Sequence, residues 1–339
     1  MKKVRCGIVG LGQIGPMHCE SVSQIENAQL VCVCDLDEEK AKKYAQMYRC
    51  DYTLSFDELI ARDDIDLIHV CLPSGMHAEF GCKAAKAGKN VIVEKPIDVS
   101  LEAADRLIQT CHQCNVKLSC ISQHRFDPDI DYLKKAIEKG ALGKISFGGS
   151  HTKWYRSQEY YDSGDWRGTW ALDGGGALMN QSVHYVDMIQ YLCGPVEEIQ
   201  AQCATLAHER IEVEDVAVAT LKFKSGALGL LEGNTTAYPG FCTRLDVYGS
   251  KGGVVIENDV VKEWKVDEYP APGSQVVEGP KGASSAVIYG KSHTRQIADV
   301  VNAILEDRDP LVTGEEARHP LAIVLGVYEA AKTGKAVKL

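Results

Sequence analysis

The sequence predicts a doubly wound parallel α/β domain followed by an α+β domain with one large, mainly antiparallel, open-faced sheet. Three observations carry this. Strand and helix patterns alternate through the first third of the chain, which calls for βαβ units with helices on both faces of a parallel sheet. After about Arg125, strand candidates follow one another through short turns, the pattern of antiparallel pairing. The length of 339 residues fits two domains. The expected division is 1–123, the doubly wound domain, and 124–339, the α+β domain.

The elements follow in order. Val4 to Val9 is a short apolar run ending at glycine, and Ile14 to Ile25 has helical spacing. Ala28 to Cys34 reads as a buried strand, and Asp37 to Met47 as a charged helix. Ser55 and Glu58 have the spacing of a capping box, so a helix should start there. Asp66 to Leu72 is a strand stopped by Pro73, His77 to Ala87 a helix closed by Gly88, and Asn90 to Val93 a strand stopped by Pro96. Ser100 to Cys114 is a helix and Lys117 to Ser122 a last parallel strand. In the second part, Pro128 to Glu138 is helical and Ile145 to Tyr155 strand-like. Leu172 to Leu192 opens on three glycines and continues with helical periodicity. Strand candidates then run Ile199 to Leu206, Val216 to Phe223, Ala227 to Asn234, Cys242 to Tyr248, Gly253 to Glu257 and Val260 to Val266. Glu268 to Ala286 is rich in Pro, Gly and Ser and should be a loop. Thr294 to Leu305 and Leu321 to Thr333 should be helices.

Composition narrows the function. Lys plus Arg is 37 and Asp plus Glu 47, a net charge of −10. That excess opposes a nonspecific grip on nucleic acid or an anionic membrane, both of which need a positive field. No apolar run approaches the roughly 20 residues of a membrane span. The opening residues run straight into a strand pattern without an apolar signal core. The 13 cysteines are odd in number and scattered, unlike a disulfide scaffold. A reducing, cytoplasmic compartment is expected. Cys111 and Cys114 form a lone C-x-x-C without a second pair at zinc spacing, so no metal site is expected. Asn234-Thr235-Thr236 is a glycosylation sequon without consequence in that compartment.

The first chemical motif is Gly10-x-Gly12-x-x-Gly15, which follows the first strand and opens a helix. Gly10 permits the tight turn, Gly12 lets a pyrophosphate approach the backbone, and Gly15 lets helix pack on strand. With Gln13 and Ile14, this loop offers helix N-terminal N–H groups to the phosphates of a dinucleotide. Asp35, 20 residues after Gly15, ends the second strand. Its carboxylate suits the adenosine ribose hydroxyls and repels a 2′-phosphate, so NAD is expected rather than NADP.

Glu94-Lys95-Pro96 puts a lysine at the carboxyl end of a parallel strand, where open α/β sheets bind ligands. Lys95 there is placed to donate to a substrate hydroxyl. The helix after Gly174-Gly175-Gly176 carries Asn180 and His184 at i and i+4, on one face, with Asp187 following. The glycines let that helix start close against another backbone or a ligand. His184, with a reference pKa near neutral, suits a general base. A metal held by His184 and Asp187 lacks further ligands at suitable spacing. Trp154, Tyr155, Arg156, Tyr160, Tyr161, Trp166 and Arg167 are substrate-shell candidates. Aromatic planes suit pyranose faces, and arginine suits a carboxylate or phosphate. His293 and Arg295 are weaker candidates.

These residues together resemble the glucose–fructose oxidoreductase / inositol dehydrogenase (Gfo/Idh/MocA) family of NAD(P)-dependent enzymes, over nearly the whole chain. The resemblance rests on the glycines at 10 to 15, Pro73 and His77, Glu94-Lys95-Pro96, Arg125-Phe126 with Pro128, Gly174 through His184 to Asp187, and Gly334 to Leu339. It implies a Rossmann domain with Pro73, His77, Glu94 and Lys95 at the cofactor. It implies that Lys95 orients the substrate hydroxyl and that His184 takes its proton while hydride leaves the same carbon for the nicotinamide. It also implies a homodimer or homotetramer through the second domain's sheet. In one respect the chain departs from the pattern: many members carry aspartate where Asn180 stands. A neutral amide can orient a ring or hold a hydroxyl, but cannot stabilise an imidazolium as a carboxylate does. The Asn-Gln-Ser-x-His form resembles the branch of 3-dehydrogenases of sugars and nucleotide sugars.

The expected activity is oxidation of a secondary hydroxyl of a sugar, sugar derivative or polyol with NAD. Two alternatives use the same parts. One is an NAD-dependent glycosidase working by transient C3 oxidation and elimination, and the other a nucleotide-sensing regulator without chemistry.

Overall fold

The computed structural model describes residues 2–267, 269–273 and 286–339. The chain forms two compact units, Met1–Gln123 with Val287–Arg318, and His124–Ala286 with His319–Leu339.

The first unit is a parallel sheet in the order β3-β2-β1-β4-β5-β6. Its strands are β1 Val4–Val9, β2 Ala28–Cys34, β3 Asp51–Thr53, β4 Leu67–Val70, β5 Asn90–Val93 and β6 Leu118–Cys120. Five helices separate them: α1 Gly15–Gln24, α2 Glu38–Tyr48, α3 Phe56–Ile60, α4 His77–Lys86 and α5 Leu101–Gln113. The cap read from sequence at Ser55 is present, and two more accompany it. Asp37, Ser55 and Ser100 each accept a backbone N–H of the first turn they precede. The three-residue β3 escapes sequence reading because nothing in Asp51-Tyr52-Thr53 alternates long enough.

The expected single division after residue 123 needs a correction, because 287–318 returns to the first unit. Ile297, Val300 and Val301 of α9 (Ala286–Glu306) are buried in one core with Cys6, Ile8, Val33, Leu67 and Ile92. Burying such side chains contributes about 1.5–3 kcal/mol each, which fixes the helix to this unit. The helix begins before the expected Thr294. Of the expected loop 268–286, residues 269–273 form no helix or strand, Ala286 opens α9, and 268 with 274–285 lie outside the described residues.

The second unit is an eight-stranded sheet in the order β13-β12-β11-β7-β10-β9-β8-β14. The strands are β7 Ile145–Lys153, β8 Val196–Ala204, β9 Val216–Phe223, β10 Leu228–Asn234, β11 Thr243–Gly249, β12 Gly252–Glu257, β13 Val260–Val266 and β14 Val337–Lys338. The pairing is antiparallel except between β7 and β10, which run parallel because β7 inserts between β10 and β11. Helices α6 (Pro128–Glu138), α7 (Gln158–Asp162) and α8 (Val183–Cys193) belong here. α10 spans Gly314–Thr333 with Pro320 inside it, about two turns ahead of the expected start at Leu321. The expected continuous helix from Leu172 is also corrected, since a π-helical turn, Ala177–Ser182, precedes α8.

β9 alternates strictly. Ala217, Ala219, Leu221 and Phe223 are buried, while Val218, Thr220 and Lys222 face out. α8 lies over the buried face, where Ser150 Oγ donates to the Tyr185 carbonyl. The other face presents Val218, Leu228 and Leu230, the last 42% exposed. Among the described residues no helix is long and apolar enough to cross a membrane.

Candidate active site

In the first unit, the loop after β1 has the geometry its glycines require. Gly10 has φ +90°, and a Cβ there would lie 2.4 Å from the Cys71 carbonyl oxygen. Gly12 differs: a Cβ there would meet no protein atom within 4 Å, so the backbone is open to a ligand. That opening, at the start of α1, fits a dinucleotide pyrophosphate. Gln13 is exposed and Ile14 half-buried as the residue that precedes α1. Asp35 is half-buried at the end of β2, and its carboxylate accepts Leu11 N–H at 2.6 Å and Asp37 N–H at 2.9 Å. It therefore braces the glycine loop. Asp35→Ala removes a charge-assisted acceptor, worth about 1.5–3 kcal/mol, so NAD affinity by calorimetry should fall roughly tenfold or more.

Gly10, Pro73 and Lys95 follow the carboxyl ends of β1, β4 and β5, which are adjacent in the sheet. Lys95 is half-buried, and its backbone is held from two sides. Lys95 N–H donates to Glu94 Oε2 at 3.0 Å, and His77 Nδ1 bonds the Pro96 carbonyl at 2.7 Å. The Lys95–Pro96 peptide is cis.

Two expected cofactor residues act behind this corner. The buried His77 ring has Nε2 on the Leu72 carbonyl at 2.8 Å as well, so it ties the loop after β4 to the loop after β5. The ring nitrogens face two main-chain oxygens, and a neutral ring donates to one of them at a time. Burial holds its pKa below the ordinary imidazole value. Glu94 is buried with Oε1 at 2.9 Å from His18 Nε2 and 3.5 Å from His293 Nε2. Burial alone would raise its pKa, but the two histidines hold it well below the usual carboxylate range. His18 Nδ1 is 2.9 Å from His69 Nδ1, which completes a buried chain that sequence spacing does not reveal. Arg295 is exposed.

In the second unit, Gly175 and Gly176 meet protein rather than open space. A Cβ at Gly176 would lie 1.8 Å from the Glu214 carbonyl oxygen. The buried Glu214 carboxylate accepts Gly176 N–H at 3.0 Å, Leu178 N–H at 2.7 Å and Tyr328 O–H at 3.0 Å. It thus caps the turn that leads into α8. Burial pushes the Glu214 carboxyl up to about 7, against the Leu178 and Gly176 N–H groups, which favour its ionised form.

His184 sits in the first turn of α8, buried, with the His124 ring edge-on at 5.4 Å between centroids. Burial would depress His124, but Asp259 and Asp127 push it up to about 9. A protonated ring therefore stands beside His184 at neutral pH. Asp187 is spent elsewhere: it holds Arg125 in a buried two-pronged pair at 2.6 and 2.9 Å.

Asn180 Nδ2 donates to Asp173 Oδ1, and Asn180 Oδ1 accepts from Gln181 Nε2 at 3.1 Å. Asp173 is buried, and its Oδ2 accepts Gly168 N–H at 2.8 Å. The carboxylate missing at position 180 is thus present one hydrogen bond away. Gln181 continues the network to Tyr160 Oη at 2.9 Å and to Arg156 Nε at 2.9 Å. Arg167 donates to Tyr160 Oη at 2.7 Å. The Arg156 guanidinium lies 5.0 Å from the Trp154 ring centroid, and that of Arg167 lies 4.5 Å from Trp166. The structure therefore gathers Trp154, Arg156, Tyr160, Trp166, Arg167 and Asn180. It leaves out Tyr161, buried with its hydroxyl on Thr235, and Tyr155, paired with Tyr238 at the surface. Gln181, Asp173, Glu214 and Tyr328 were absent from the sequence candidates.

Two sets, His18–Glu94–His293 and His124–Asp127–Asp259, bring three potential metal ligands together. In each, a histidine and a carboxylate already touch, at 2.9 and 2.7 Å. Ligands about 2.1 Å from a tetrahedral ion stand farther apart than that, so both sets read as hydrogen-bonded ion pairs. Cys111 of the C-x-x-C is buried and its thiol pushed up to about 12, far from a reactive thiolate.

Residues 4–122 match the oxidoreductase family with the NAD-binding Rossmann fold, and residues 130–255 match the GFO/IDH/MocA C-terminal domain. The chain is similar to the WlbA dehydrogenase of Bordetella pertussis, solved with NADH and UDP-GlcNAcA. The identity is 32%, the coverage 100% of this chain and 98% of that one, and the TM-score 0.92. It is 29% identical to the myo-inositol 2-dehydrogenase of Thermotoga maritima over 99% of this chain and 98% of that protein. It is 26% identical to a 2,7-anhydro-N-acetylneuraminate hydratase of Mediterraneibacter gnavus over 100% of this chain and 97% of that protein.

Proposed function

The chain belongs to the GFO/IDH/MocA family of NAD-binding oxidoreductases, and from that premise we propose that it takes hydride from a secondary hydroxyl of a sugar, sugar derivative or polyol, leaving a keto-sugar. The observation that carries this reading is the placing of Lys95 beyond β5, where its N–H donates to Glu94 and His77 bonds the carbonyl of the next residue, Pro96. When bound, NAD supplies the hydride acceptor. Gly10, Gly12, Gln13, Ile14 and Gly15 receive its phosphates, and Asp35 its adenosine ribose, which favours NAD over NADP. Lys95 donates to the substrate hydroxyl oxygen and stabilises the charge that grows there. His184 accepts the proton at a ring nitrogen. Asn180, fixed on Asp173, holds a neighbouring hydroxyl, while Trp154 and Trp166 offer flat faces to a pyranose.

A second reading has one observation in its favour, the likeness to a hydratase, whose named reaction involves no net redox change. The same base and cofactor serve transient C3 oxidation, elimination and re-reduction. NADH released from a simple sugar or polyol supports the dehydrogenase. Aglycone released without net NADH supports the glycosidase.

The protein works as a homo-oligomer through the outer face of the large sheet. Val218 and Leu230 line a depression there with His151 and Glu232, and Leu228 is exposed on the same face. Apolar side chains mixed with polar partners such as Thr220 and Glu232 suit an interface between copies. Leu228→Asp with Leu230→Asp should shift the mass in sedimentation toward the monomer, and an unchanged mass would exclude this face. The cytoplasm is the compartment that suits thirteen unpaired cysteines, most of them buried.

A further inference from the structure

The group around Tyr160 offers donors and almost no acceptors. The Arg156 guanidinium is 5.2 Å and that of Arg167 4.4 Å from the Tyr160 ring centroid, so two cations share one aromatic ring. Neither forms an ion pair with any carboxylate among the described residues, although the chain has ten more acids than bases. Arg156 uses two of its five N–H groups, on Gln181 Oε1 and, at 3.5 Å, the Tyr155 carbonyl. Arg167 uses one, on Tyr160 Oη. That oxygen also accepts from Gln181 Nε2, so its own proton is left to donate outward.

Half-exposed arginines ordinarily lie loose in water. These two are held. Arg156 is clamped between Trp154 and Gln181, and its carbonyl accepts from His208 Nε2 at 2.7 Å. His208 is itself fixed by the buried Asp215 at 3.0 Å. Arg167 stacks on both Tyr160 and Trp166. Gln181 joins this group directly to Asn180, and His184 follows three residues later in the same segment. A fixed fork of guanidinium and hydroxyl donors fits a carboxylate or phosphate, whose oxygens accept two parallel N–H bonds. The same stacking that holds the cations shields them from water and strengthens their pull on an anion.

We propose that Arg156, Arg167 and the Tyr160 hydroxyl form an anion-binding subsite, so that the preferred substrate is an acidic sugar carrying a carboxylate or a phosphate ester. This deepens the dehydrogenase reading and rests on it for turnover, but the anion contact itself can be measured without turnover.

The test uses the native enzyme with NAD and three probes: glucose, glucuronate and glucose 1-phosphate. Trp154 and Trp166 report binding by fluorescence, and NADH formation reports turnover. At least one charged sugar should bind ten times more tightly than glucose, with the advantage shrinking as salt rises. Glucuronate leading identifies a carboxylate subsite, and glucose 1-phosphate leading a phosphate subsite. In Arg156→Met and Arg167→Met the ratio of charged to neutral affinity should fall toward one, while Arg167→Lys should restore part of it. Selective anion binding without NADH formation from any sugar would support the subsite and overturn the dehydrogenase reading. Equal affinity for all three, or a preference unmoved in both methionine variants, would overturn the subsite and leave the dehydrogenase reading standing.

Discussion

Lys95→Ala should bind NAD with nearly native affinity and turn over about a thousand times more slowly. The glycine loop and Asp35 that receive the dinucleotide keep their own bonds, Leu11 N–H to Asp35 and Gly10 N–H to the Cys34 carbonyl, and neither involves the lysine side chain. The change removes an ammonium from the end of β5. Loss of one preorganised donor to a developing oxyanion costs about a hundred- to a thousandfold in turnover. His184→Ala should fall within the range of about a hundred- to ten-thousandfold for loss of a general base. In the proposed mechanism both groups serve one hydroxyl, so the double variant should fall less than the product of the single losses. Calorimetry with NAD and steady-state kinetics on the same preparations separate binding from chemistry. Turnover within a few-fold of native in either variant would remove that residue from the mechanism.

The second large effect is expected at Glu214, which no substrate touches in this reading. Glu214→Ala takes the acceptor from two N–H groups at the start of the His184 segment and from Tyr328. A buried donor left unsatisfied costs about 1–3 kcal/mol, so the melting temperature should fall by several degrees. Turnover should fall with it, because the π-helical turn that places Asn180 loses its anchor. The pH dependence separates the carboxylate from general packing. A carboxyl whose folded-state pKa of about 7 lies above its unfolded value near 4.5 stabilises the fold most below 4.5. That contribution is lost as pH rises through about 7. Glu214→Gln cannot ionise, so its stability relative to the native protein should improve steadily from pH 4.5 to 7. A flat difference across that window would show that Glu214 keeps one protonation state throughout.

What the sequence revealed and what it hid divide along physical lines. The glycine loop was legible because three glycines, a strand and a helix start must lie in fixed order for a phosphate to reach the backbone. Lys95 was legible because a strand followed by Pro96 places it at a sheet end. His184 was singled out by its i, i+4 spacing from Asn180, but the π-helical turn between the two was hidden. Glu214 was not, because it is 38 residues from Gly176 and reads locally as an acid flanking a strand. The His18–Glu94 pair spans 76 residues, and nothing near either end announces it. For His77 the sequence showed a motif position, but not that its ring lies between the Leu72 and Pro96 carbonyls, which are far apart in local sequence pattern. The return of α9 to the first unit was hidden for a related reason, since an apolar helix face does not say which core it will enter.

The assignment stands or falls most directly on NADH formed when enzyme and NAD are mixed with a panel of sugars, polyols, uronic acids and sugar phosphates. At least one member should yield NADH and a keto-sugar in equal amounts, and the yield should vanish on the enzyme's timescale in Lys95→Ala and His184→Ala. A panel on which NAD stays oxidised throughout, or NADH formed equally fast by both variants, would contradict it.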